Sequence, residues 1–313
     1  MLGGIPDLHP EQLAPGLPPT PSHNLLYHGG RTIPNMSFTN FYVSGGAWAA
    51  GDMTNIDHAL AAAMSEPTLN NVMAQYFSTV PTTTFRPSQM LPGAAPATMS
   101  QGDVEQLVTS LFGQGTLAAF DLTTSVFNFM LPPGTVLNDN PAPGGAQGTS
   151  EEAGQHRRGV QEEEEADSLN GLGGYHGSVK TGGTTIYYAV GVYSQVAGSK
   201  TNGIPVFDLP WKNVVATFYH ELNEARTDPD VEQVIAGGPS SMLGWTSRQG
   251  EECGDFPVFE SNPLTLVFQE IPLTQGGTAP VQFQYSNFAD GPEGPIAQPH
   301  RPSHVRARHK AMV

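Results

Sequence analysis

Between Asp208 and Pro229 the chain carries a segment, DLPWKNVVATFYHELNEARTDP, that constrains the fold more than any other. Asp208-Leu209-Pro210 predicts a helix start, because proline in the first turn gives up only an amide that has no partner there. Thr227-Asp228-Pro229 predicts its end. Val214, Phe218 and Leu222 fall on one stripe at helical spacing, with Val215 beside it. The VVATF run predicts a buried helix, yet His220, Glu221 and Glu224 follow it directly. Ionisable groups on a buried helix need a partner, so the fold must bring one to them.

A divalent cation is one such partner. His220 and Glu224 lie one turn apart on the same face, off the apolar stripe, and both could reach a single ion. Glu221 beside them could act as a base on water. The later cluster Glu251-Glu252-Cys253-Gly254-Asp255 offers a third ligand, Asp255 or Glu252. The pattern is a variant of the HExxH metallohydrolase helix with glutamate in place of the second histidine. One imidazole with two carboxylates is a harder ligand set than the usual two with one. On a zinc ion it would leave less net charge and acidify bound water less, so calcium or manganese are alternatives to zinc here.

Composition narrows the function classes. The net charge of −16 argues against nucleic acid as the main partner, which would need clustered Lys and Arg. The acids gather at Glu151, Glu152, Glu162 to Glu165 and Asp167, and basic residues gather near the end with Arg301, Arg306, Arg308 and Lys310. No apolar run approaches the ~18 residues of a membrane span. The single cysteine, Cys253, rules out an internal disulfide, and its acidic neighbours disfavour a thiolate nucleophile. With 36 Gly and 28 Pro but only 13% charged residues, the chain is expected to have many turns, long Gly/Pro-rich loops and a modest core. A surface rich in Thr, Asn and Gly and poor in charge is common in extracellular proteins. The first residues lack the charged-then-apolar build of a signal peptide, so a secreted form implies a leader removed before this numbering.

Residues 1–24 read as an extended Pro-rich arm, 25–290 as one domain, and 291–313 as a basic disordered tail. Within the domain, 138–173 reads as a flexible acidic insert. Strands are expected over 35–43, 124–131 and 184–192, with β-like runs at 263–271 and 281–285. Helices are expected over 52–77, capped by Asp52 or Thr54 and broken at Glu66-Pro67, and from Gly102-Asp103 onward with Val104, Leu107, Val108 and Leu111 as the stripe. Residues 80–100 read as a Pro/Thr loop. Without strict βαβ alternation the expected class is α+β, a mixed sheet packed against helices.

The run HELNEARTDP…GW…GEECGDFP resembles HExxExxTDP…W…EIGD of the EXORDIUM-like (phosphate-induced) family. In the same order, Tyr27-His28-Gly29-Gly30 resembles its YHxG, Phe127 to Gly134 its strand ending in LPPG, Gly174 to Ser178 its GYHGS, and Ser286-Asn287 its late SN. The resemblance covers roughly residues 25–290 without the acidic insert. It implies a secreted protein with a zincin-like core and a functional group of His220, Glu221, Glu224 and Asp255, with Glu252 at the first position of the EIGD-like run. His176 is then expected near the site, and Asp228 behind the ligands. Relatives with several cysteines differ from this chain, which has one.

Two functions follow as expectations. One is a metal-dependent hydrolase, a zinc metallopeptidase-like protein with Glu221 as base. The other is a non-catalytic extracellular or cell-wall-associated protein with a structural zinc or calcium, its partner a peptide or a wall polymer. A coat component is a weaker third idea, suggested by the loop composition.

Overall fold

The computed structural model describes residues 13–140, 167–235 and 237–301. Five strands build the main sheet: β1 (Asn35–Tyr42), β2 (Thr82–Met90), β3 (Ser125–Met130), β4 (Gly174–Thr181) and β5 (Thr184–Gly191). Their order is β2-β1-β3-β5-β4. The first four run parallel, and β4 pairs antiparallel with β5 at one edge. Gly182-Gly183 makes that hairpin, both residues at positive φ (56° and 81°), the backbone a two-residue turn of this twist requires.

Alternation along the strands feeds two cores. Phe38, Val126, Met130, Tyr187 and Ala189 face one side, and Phe41, Phe127, Phe129, Ile186 and Val190 face the other. Strands buried on both faces need helices on both. On the first face lie α1 (Ala50–Ser65) and α4 (Pro210–Thr227), the latter through Val214, Phe218 and Leu222. On the second lies α3 (Gln101–Gly113), through Val104, Val108 and Leu111. A mixed sheet packed against helices is therefore what the chain forms. The short helix α2 (Pro67–Met73) follows the break at Glu66. After α4 come α5 (Val231–Ile235) and α6 (Asp255–Glu260), then the hairpin of β6 (Phe268–Pro272) with β7 (Thr278–Gln282).

The structure corrects several expectations. Residues 82–90 are not loop but the edge strand β2. Pro87 fits there because the register with β1 shifts where Thr39 pairs Arg86 and Phe41 pairs Gln89, a bulge that leaves the proline without a ladder bond to donate. Neither Asp52 nor Thr54 caps α1. Its N-cap is Ala49 without a side-chain bond, while Asp52 accepts from Tyr193 Oη at 2.6 Å and Thr54 donates to the Ala50 carbonyl. Between Asp255 and β6 the chain is helical first, and the strand begins only at Phe268.

Order extends past the expected domain edges. Ala14 N donates to the Pro292 carbonyl at 2.8 Å and Thr20 N to that of Asp290 at 2.6 Å. The strand β8 (Gln284–Ser286) pairs with β9 (Gly291–Glu293), and His300 bonds Glu293 at 2.6 Å. At the acidic insert, Asn138 bridges Asp167, whose carboxylate caps the turn at Leu169 and Asn170. The Glu162–Glu165 run, most of the insert and the residues after Arg301 lie outside the described residues.

Candidate metal centre

Three separate pieces of chain meet beside the C-terminal half of α4. The helix itself presents His220, Glu221 and Glu224. The edge strand β4 presents His176, which pairs in register with Ala189 of β5. The segment entering α6 presents Glu252 and Asp255. Of the residues expected from the sequence, His176, His220, Glu221, Glu224 and Glu252 form two close sets of donor atoms, while Asp255 approaches His220 without joining either set.

His220 Nε2 lies 3.0 Å from Glu224, 3.9 Å from Asp255 and 3.9 Å from Glu221. His176 lies 3.5 Å from Glu221, 3.8 Å from Glu224 and 3.6 Å from Glu252. Asp255 therefore lies on the His220 side and Glu252 on that of His176, while Glu224 stands between them. Donor atoms of His220, Glu221 and Glu224, and separately of His176, Glu224 and Glu252, lie within 4.8 Å of one another. The His220 group is reached by solvent, the Asp255 side chain beside it 31% exposed. His176 and Glu252 lie deeper in the same cavity, at 3% and 7% exposure.

Backbone and amide groups fix this arrangement. Gly254 N donates to Glu224 Oε1 at 2.8 Å, and Glu252 N to Asp255 Oδ2 at 2.9 Å. A Cβ on Gly254 would sit 2.4 Å from His220 Nδ1, so the turn can come this close only as glycine. Gln282, at the end of β7, donates its amide to the carbonyls of Gly254 at 2.8 Å and Phe283 at 3.0 Å. Its oxygen then faces His220 Nδ1. Two carbonyls claim the Gln282 nitrogen, so Nδ1 must carry a hydrogen, and Nε2 is the nitrogen turned to the carboxylates, carrying a proton in the metal-free chain and able to give it up to an ion. His176 is set likewise. Its Nε2 donates to the Asp228 carbonyl at 3.0 Å and leaves Nδ1 toward Glu221 and Glu224. Asp228 is held in turn by Gly244 N at 2.9 Å. Gln282 and Gly254 are the functional residues that sequence reasoning does not single out. Only the close spacing of Gly254 to the acids gave any signal.

The electrostatics describe a crowded anionic pocket. Burial, reinforced by Glu224, pushes Asp255 up to about 7. Burial does the same to Asp228, also to about 7, against the bond from Gly244. Burial and then Glu224 raise Glu252 well above the carboxylate range. Burial would lower His176, but Glu221 and Glu224 outweigh it and raise it to about 9. His220 is raised too, burial being outweighed by Glu224, Glu221 and Asp255. Glu224 alone falls, since His220 overcomes the effect of its burial. Cys253 is fully buried, donates to Gln284 at 3.2 Å and is pushed up by burial and by Glu224, which makes it an anchor and not a nucleophile.

The residues fit a divalent cation. Glu252 Oε1 and Asp228 Oδ2 are buried without a hydrogen-bond partner among the described residues. No Lys or Arg pairs within 4.0 Å with Glu221, Glu224, Asp228, Glu252 or Asp255 among those residues; the ion pairs of Glu221, Glu224, Glu252 and Asp255 are with His176 and His220. Buried carboxylates left so are costly, and imidazole-carboxylate sets of this kind are met in proteins around zinc, manganese or calcium. Set against family models, curated proteins and solved structures, the chain matches none.

Proposed function

We propose that the protein is a metal-dependent hydrolase acting on peptide bonds, with a zincin-like core and zinc as its ion. The observation that carries this reading is the convergence of His220, Glu224 and Asp255 on the solvent-reached side of one cluster, with Glu221 adjacent. They line a cavity of about 260 Å³, room for a substrate segment beside the edge strand β4. The antiparallel edge strand next to the HExxE helix supports the zincin-like description. A secreted location follows from the EXORDIUM-like resemblance and is proposed on that ground.

His220, Glu224 and Asp255 would hold the ion, with Nε2 of His220 turned toward it by the bond between Nδ1 and Gln282. A divalent cation there supplies Lewis acidity, polarising a carbonyl and making water nucleophilic at neutral pH. Glu221 takes the proton from the attacking water and returns it to the departing amine as the C–N bond breaks. His176 Nδ1 stands 3.5 Å from Glu221, at the inner side of the same cavity. Access from the cavity supports catalysis over a purely structural ion, which would need no opening to solvent.

Substitution separates the roles. Glu221→Gln should keep the metal and lose turnover of a fluorogenic peptide by roughly 10²–10⁴-fold. His220→Ala should lose both. Equal turnover in all three proteins, or turnover indifferent to chelation, ends this reading in favour of a non-catalytic protein.

A further inference from the structure

Glu252 and Asp255 are only three residues apart, yet they attend different histidines. His176, Glu252 and Glu224 form a group with its own imidazole and its own carboxylate, joined to the His220 group only through Glu224. Glu252 is 6% exposed and its Oε1 accepts no hydrogen bond among the described residues. Such a group is built for a cation. One dication at His220 would face five carboxylates: Glu221, Glu224, Asp228, Glu252 and Asp255. At full ionisation it offsets two of those five charges, whereas two dications leave one. With no Lys or Arg paired to them among the described residues, the remaining balance must come from protons or from a second ion.

We propose that the cluster holds two divalent cations, the second in a buried site made by His176, Glu252 and Glu224, with the Glu224 carboxylate shared between the two. The proposal rests on the hydrolase reading for its first ion and adds a second one that the single HExxE motif does not contain. Donor atoms within 4.8 Å of one another need only modest side-chain rotation to reach the ~2.0–2.2 Å distances of zinc ligands. Both sites border the same cavity and differ in depth. The His220 site, with Asp255 31% exposed, lies toward solvent and the His176 site lies deeper, so the second ion neutralises charge and holds Glu224 in place while the first meets substrate.

The test uses the full chain, stripped with chelator and reloaded with zinc or manganese. Elemental analysis should find two ions per chain, falling to one in Glu252→Gln and in His176→Gln. The manganese-loaded wild type, which needs no variant to fold, should give the exchange-coupled paramagnetic resonance spectrum of a carboxylate-bridged pair. One ion per wild-type chain with an isolated six-line spectrum overturns the second site and leaves the hydrolase reading standing. Two uncoupled ions that survive both substitutions overturn it as well, since the second ion then lies elsewhere. No bound ion overturns both readings.

Discussion

At the scale of single residues, the chemistry depends on which nitrogen of each imidazole is turned to the carboxylates. For His220 that is decided by Gln282, whose amide nitrogen is committed to the Gly254 and Phe283 carbonyls and whose oxygen can only accept. Replacing it by methionine, Gln282→Met, keeps much of the volume and removes the acceptor. Outer hydrogen bonds of this kind are typically worth 10–100-fold in metal affinity. Titration calorimetry should therefore show zinc binding weakened by about that factor, with near-ultraviolet dichroism unchanged. Unchanged affinity would mean that Gln282 does not set the tautomer. The ligands on α4 are legible in the sequence because one helical turn holds His220, Glu221 and Glu224 together. His176 is legible only through a resemblance, and Gln282 not at all. A glutamine in VQFQY looks like any strand residue until β7 places it against His220.

At the scale of elements, α4 must be held in place for its last two turns to meet β4 and the start of α6. Its first turn is tied down by Asn213, 2% exposed, whose Oδ1 accepts from Val206 N at 2.9 Å and Phe207 N at 2.7 Å. Its Nδ2 donates to the Ser194 carbonyl at 3.2 Å. Asn213→Ala removes the side-chain partner from four backbone groups, the Phe207 carbonyl at 3.4 Å being the fourth, and each unsatisfied buried group costs about 1–3 kcal/mol. Urea unfolding should show a loss of roughly 2–4 kcal/mol, the low end if the 206–207 segment relaxes toward water. A loss below about 0.5 kcal/mol would show that packing alone anchors the helix. The helix itself is legible because Pro210, the Val214-Phe218-Leu222 stripe and Asp228-Pro229 all agree on its limits. The strand β2 is hidden by Pro87, whose bulge cannot be foreseen without its partner strand. The helix α6 is hidden by its shortness and by Pro257, which sits in a first turn where proline is tolerated.

At the scale of the whole molecule, the sequence conveys the mixed class but not the strand order, because parallel pairing joins segments far apart in the chain and leaves no local signal. Nor does it convey that the arm packs along β9. The fold that results gathers several carboxylates and two imidazoles inside one pocket, and this makes its stability depend on pH in a definite direction. Asp255 and Asp228 are raised to about 7 from ordinary values near 4, so their contribution is full below pH ~4 and is lost as pH rises through 7. His176 is raised to about 9, so its contribution is full below pH ~6.5 and is lost as pH rises through 9. The signs agree: the metal-free protein binds more protons folded than unfolded across this window and weakens toward alkaline pH. Cations compete with those protons, so metal should stabilise little at pH 5 and much more at pH 9. The measurement is thermal unfolding at pH 5, 7 and 9, with chelator and with zinc. It is run in about 0.5 M salt, which screens exposed charge from the overall −16 but acts much less on the buried cluster. The chelated Tm should fall steadily from pH 5 to 9 while the gap between the zinc and chelator curves widens. A chelated Tm that is flat or rising would mean the buried carboxylates and His176 are not protonated in the folded metal-free chain, and the pocket would then need a different source of positive charge.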